Sequence, residues 1–236
     1  MSTVASIEML FVGRVKPLER KGHVAVPSGI VKQPHPGPLR VSFNGVEGDE
    51  QGDLLVHGGV EKAIHHYPAD HYEFWRSVYP SSVVPLEPGA FGENISTSGM
   101  TEHNVCIGDI YRAGSTLLQI SQGRQPCWKL NRLLNEREAA LMMQTSGATG
   151  WYYRVLEEGW LARHDRLELV DRPCPAWTME RLINALFPLD PGAPGLPEEW
   201  HEASTIKQLT AKWQTTFARR VQLNAMEDWT RRLYEA

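Results

Sequence analysis

The chain has 236 residues, 42% hydrophobic and 22% charged, with a formal net charge of −4 at pH 7. This is globular composition, and the acidic balance excludes a nucleic-acid polymer as the main partner, because phosphate backbones select basic surfaces. Cys106, Cys127 and Cys174 make an odd set without a disulfide framework, no secretory signal or membrane span is evident, and a reducing, cytoplasmic setting is expected.

Short alternating runs bounded by turn formers predict strands over 7–12, 39–43, 63–67, 109–113, 116–121, 151–156 and 166–170. Ala113-Gly114 and Glu158-Gly159 are read as hairpin turns. Many short strands between Gly and Pro turns favour a barrel or sandwich over a βαβ design. Residues 68–79, with Tyr72, Trp75 and Tyr79 at helical spacing, and 135–144 predict helices.

After "DRPCP" (171–175) the pattern changes. Thr178 suits the cap of a helix over "MERLINALF", and 189–200, with three prolines, reads as a connector. Residues 204–220 predict a helix with Ile206, Leu209, Trp213 and Phe217 on one face, and 226–235 a last one. The chain divides near residue 174, into a β-rich domain (1–174) and a small three-helix domain (175–236). The stripe Trp213, Phe217, Trp229 reads as core or as a docking face, and aromatics on so small an appendage suit a homodimer.

In "SQGRQPCWKLN" (121–131), Pro126 suits the first turn of a helix. Cys127 is then expected at a helix N-terminus, between Arg124 and Lys129, where positive charge favours a thiolate as ligand or nucleophile. The alternative is a small buried hydrophobe, the reading that suits Cys106. In "GVEGDEQGDLLVHGGVEKAIHHYP" (45–68), the spacing of His57, His65 and His66 matches no zinc pattern, and His65 and His66 point to opposite faces of a strand. "VHGGVEKA" reads as a tight turn and lacks the P-loop order. In "FGENISTSGMTE" (91–102), Asn94 can donate and accept, which suits a pterin edge, although a plain loop explains it equally.

In this order, "GVEGDEQGD…VHGGVEKAIHHYP", "FGENISTSGMTE", "QISQGRQPCWKLN" and "TGWYYRV" resemble the successive motifs of MOSC-domain proteins, relatives of the C-terminal domain of molybdenum cofactor sulfurase. The likeness is specifically to the YiiM-type subgroup, which carries a C-terminal three-helix extension. The resemblance covers roughly residues 5–235. It implies a mainly β fold with helices: a closed β-barrel of MOSC type, like the pyruvate-kinase β-barrel.

It also implies a molybdenum cofactor, Mo-molybdopterin, with Cys127 as metal ligand. Asn94 would meet the pterin beside Gly92, and Arg124 and Lys129 would hold the cofactor's phosphate. His57 or His65 would supply a proton, although each also reads as a structural histidine. The activity implied is reduction of small N-hydroxylated compounds, such as hydroxylamino base analogues, with electrons from a separate flavoprotein. The amidoxime-reducing relatives carry arginine before the "PN" of their motif. This chain has "FGEN" there and lacks one such cation. A sulfur-carrier or cofactor-delivery protein bearing a persulfide on Cys127 is the alternative.

Overall fold

The computed structural model describes residues 4–20, 24–53 and 57–234. Its framework is a nine-stranded sheet. In spatial order the strands are Val4–Ser6, Arg166–Asp171, Ile110–Ala113, Thr116–Gly123, Trp151–Glu157, Ile64–His66, Ile95–Ser96, Met9–Val12 and Gln33–Pro34. Neighbours pair antiparallel except Ile64–His66 with Ile95–Ser96, which run parallel. A three-stranded sheet (Gly159–Leu161, Leu39–Ser42, Gly45–Val46) and a two-stranded one (Lys16–Leu18, Val26–Ser28) complete the β-structure.

The predicted strands therefore form, each within two or so residues of its expected bounds. The closed barrel does not. The large sheet curls into a half-barrel whose edges, Val4–Ser6 and Gln33–Pro34, do not pair with each other. These edge strands have three and two residues; so short a ladder offers few hydrogen bonds for closure. The first predicted hairpin forms, with Ala113 opposite Thr116 around Gly114-Ser115. At Glu158 the chain instead leaves the large sheet, and Gly159–Leu161 pairs with Leu39–Ser42.

Helix His71–Val78 lies within its predicted stretch, and the helix expected over 135–144 starts four residues late, as Ala139–Ser146. Beyond residue 174 the helices are Met179–Leu186, Leu196–Ser204, Ala211–Leu223 and the short Thr230–Leu233. Thr178 Oγ1 accepts from Arg181 N–H, as a cap should. The expected 189–200 connector is in fact half helix: Gly195 sits at the cap with Pro197 in the first turn, where proline is tolerated. The expected 204–220 helix starts only at Ala211, because the chain turns at Thr205–Thr210.

One hydrophobic cluster spans both sides of residue 174. Val105, Ile107, Leu118 and Ile120 pack with Met179, Leu182, Ile183, Trp213 and Phe217. The aromatic stripe is core in its first two members: Trp213 and Phe217 are fully buried. A second cluster joins Tyr67, Tyr72, Trp75 and Phe91 to Leu130, Leu133, Leu134 and Leu233.

Candidate functional site

Six separate segments meet at one pocket, and all seven residues singled out in the sequence line it: His57, His65, Gly92, Asn94, Arg124, Cys127 and Lys129. It encloses about 670 Å³, the part open to solvent included. The long strand Thr116–Gly123 delivers Arg124 and Cys127 just past its end, and Ile64–His66 presents His65 from the sheet. Phe91–Asn94 and segments 28–32 and 49–52 form the opposite wall.

Cys127 is free and half-buried. It does not lie within a helix: Lys129–Leu134 begins two residues later with Trp128 at its cap, and has only six residues. A helix dipole therefore adds little, and the electrostatics come from side chains. His57 Nε2 lies 3.6 Å from the Cys127 sulfur. Burial, with Lys129 and Lys62 nearby, pushes His57 down to about 4, so it is uncharged at neutral pH.

His65 is buried, stacks on Tyr152 at 4.9 Å between ring centroids, and is likewise held well below its ordinary value by burial and by Arg124. Both imidazoles are therefore uncharged at pH 7, each keeping one ring N–H. As its strand position predicts, His66 faces the other way, bonded to Tyr153 and Thr97. His65 Nε2 has no hydrogen-bond partner among the described residues.

Arg124 is nearly buried and donates to the Phe91 carbonyl at 2.8 Å. Lys129 Nζ donates to the Pro27 carbonyl at 2.9 Å. Asn94 is committed to the protein. Its Nδ2 donates to the Phe11 carbonyl and to Asp49, and its Oδ1 accepts from His65 N–H. It holds three walls together rather than presenting a free edge. Gly92 has φ +76°, and a Cβ there would stand 2.9 Å from the Ile30 carbonyl oxygen, so glycine lets the two walls touch.

Sequence reasoning missed Lys32, Asp49, Lys62 and Tyr152. Lys32 Nζ donates to Asp49 at 2.6 Å, both side chains being almost fully buried (6% and 2% exposed). Burial lowers the Lys32 ammonium although Asp49 opposes it. Lys62 follows the glycine turn that the sequence marked only as a turn. Burial, and then Lys212, bring it down to about 8. Its place three residues before His65 was the available signal. Lys32 and Asp49 carried none, because their pairing joins two loops.

Residues 53–168 match the MOSC domain. Protein YiiM of Escherichia coli (strain K12) is 38% identical over 209 residues, 88% of this chain and 91% of that protein. The chain belongs to the MOSC family, in its YiiM-type branch. The crystal structure of YiiM from Geobacillus stearothermophilus superposes with a TM-score of 0.75 at 31% identity, covering 92% of this chain and 99% of that one. A protein of Gibberella moniliformis (strain M3125 / FGSC 7600) named "Reductase" is 41% identical over 177 residues, 73% of this chain but 31% of its own. Among the described residues of this MOSC protein, no helix is long and apolar enough to cross a membrane.

The family is associated with molybdenum cofactor binding, and the donor chemistry of the pocket suits that group. Among the described residues no cluster of three or more His, Cys, Asp or Glu could hold a metal. One soft thiolate side chain therefore suits a metal that arrives with sulfur ligands of its own. Lys62, Arg124 and Lys129 border the same space, as an anionic pterin phosphate requires.

Proposed function

We propose that this chain is a molybdenum-cofactor-dependent oxidoreductase that reduces small N-hydroxylated compounds to amines: R–NHOH + 2 H⁺ + 2 e⁻ → R–NH₂ + H₂O. The observation that carries the reading is the half-exposed Cys127 thiol in a cation-bordered pocket. Bound there, molybdenum would supply two-electron oxygen-atom transfer. Membership beside a relative named as a reductase supports the oxidoreductase class. The electrons would come from a separate flavoprotein.

The chain's own residues bind and orient. Cys127 would be the protein's metal ligand, and uncharged His57, with Nε2 3.6 Å from the sulfur, would orient it through a hydrogen bond. Arg124 and Lys129 would hold phosphate, each anchored through a backbone carbonyl. Gly92 and the Lys32–Asp49–Asn94 network keep the far wall in place. Tyr152 and Phe91 give that space apolar flanks suited to a flat heterocycle.

The test is reduction of a hydroxylamino purine by the loaded protein with a flavoprotein donor. Cys127→Ser is expected to lose about a hundredfold or more in rate, and full activity in that variant would overturn the reading.

A further inference from the structure

We propose that Arg232 is a positioning residue for the Cys127 loop, and that the end of the chain, Trp229–Tyr234, straps that loop in place. The inference rests on Cys127 being the functional group of the pocket, whichever chemistry it performs.

Arg124 and Lys129 tie the two ends of the loop to other walls, but its middle, Pro126–Trp128, has fewer bonds of its own. Pro126 has no N–H to give, and Trp128 at the helix cap makes no side-chain capping bond. The chain end supplies what is missing. Trp128 N–H donates to the Arg232 carbonyl at 2.8 Å. The Arg232 guanidinium donates through Nη1 to the Pro126 carbonyl, next to Cys127, and through Nη2 to Gln144 Oε1. Asn131 Nδ2, one helical turn on, donates to the Leu233 carbonyl at 2.8 Å.

The strap is anchored. Leu233 is buried in the second cluster among Leu130, Leu133 and Leu134. The guanidinium lies 5.1 Å from the Phe187 ring centroid and 5.8 Å from that of Trp229. Burial brings Arg232 down to about 10, so keeping a cation here is costly unless its bonds are needed. Those bonds go to the backbone beside Cys127 and to the helix Ala139–Ser146, and they join the C-terminal helices to the pocket.

The experiment uses the full chain without cofactor. It reads amide exchange at Trp128 and alkylation of Cys127 by iodoacetamide at a single pH. Cys174, also free and half-buried, and the amides of Thr116–Gly123 serve as internal references. Arg232→Ala is expected to speed Trp128 exchange about tenfold and Cys127 alkylation about threefold, with the references changed less than about twofold. Arg232→Lys, which keeps a cationic donor on a long side chain, is expected to recover most of both.

Three results would each overturn the proposal: unchanged Trp128 and Cys127 in Arg232→Ala, references that move with them, or a lysine variant no better than alanine. If Arg232→Ala does not fold, Gln144→Ala carries the same test. It frees one arm of the guanidinium and is expected to shift both readouts in the same direction, by about twofold; no shift there counts against the strap.

Discussion

The sulfur of Cys127 and Nε2 of His57 stand 3.6 Å apart across seventy positions of sequence. A glycine-rich turn and a loop after a long strand bring them together, and burial keeps the imidazole uncharged. That pairing sets an uncharged imidazole within hydrogen-bonding reach of the sulfur.

Its burial makes His57 a source of acid sensitivity. Its folded value, about 4, lies below the ordinary 6.5. As pH falls through 6.5 the unfolded chain takes up a proton that the folded chain refuses until about 4, so stability is lost across that window and levels off below it. With allowance for partial exposure, the share of His57 is on the order of 2–3 kcal/mol. In His57→Asn, denaturant unfolding between pH 6.5 and 4 should show a flatter decline than in the unaltered chain. His65 and His66, also held low by burial, keep the rest of the slope. Parallel profiles would contradict the assignment.

The Lys32–Asp49 pair is buried and shared with Asn94 and the Gly13 N–H. Lys32→Met leaves a carboxylate without its cation, at a cost of about 3–5 kcal/mol. The double variant Lys32→Met/Asp49→Leu is expected to recover part of that, as urea unfolding midpoints will show.

Gly92→Ala forces a Cβ against the Ile30 carbonyl in a left-handed conformation. The expected cost is about 1–3 kcal/mol, together with a displaced pocket wall. Thermal unfolding and cofactor retention check the two effects separately.

Removal of residues 175–236 strips Met179, Leu182, Ile183, Trp213 and Phe217 from the cluster they share with the sheet. A chain ending at residue 174 is expected to lose cooperative unfolding, read by near-ultraviolet circular dichroism. A sharp transition in that fragment would show that the β-rich part folds alone.

Much of the fold was legible because strand alternation is local, as "TLLQIS" and "WYYRVL" show in adjacent, paired strands. Closure was not legible, because it depends on whether distant edges such as Val4–Ser6 and Gln33–Pro34 meet. The turn at Glu158 carried hairpin chemistry yet sent the chain into another sheet. The helix Leu196–Ser204 lay hidden behind a proline-rich entry. In the site, Cys127 announced itself through charged neighbours, but Lys32 and Asp49 become a pair only in three dimensions.

The most direct measurement is the molybdenum and pterin content of the protein purified from a cofactor-competent host, beside Cys127→Ser from the same host. The account predicts about one molybdenum and one pterin per chain, with the metal lost in the serine variant. Protein free of both, or carrying one extra sulfur atom on Cys127 by mass spectrometry and no metal, would contradict it.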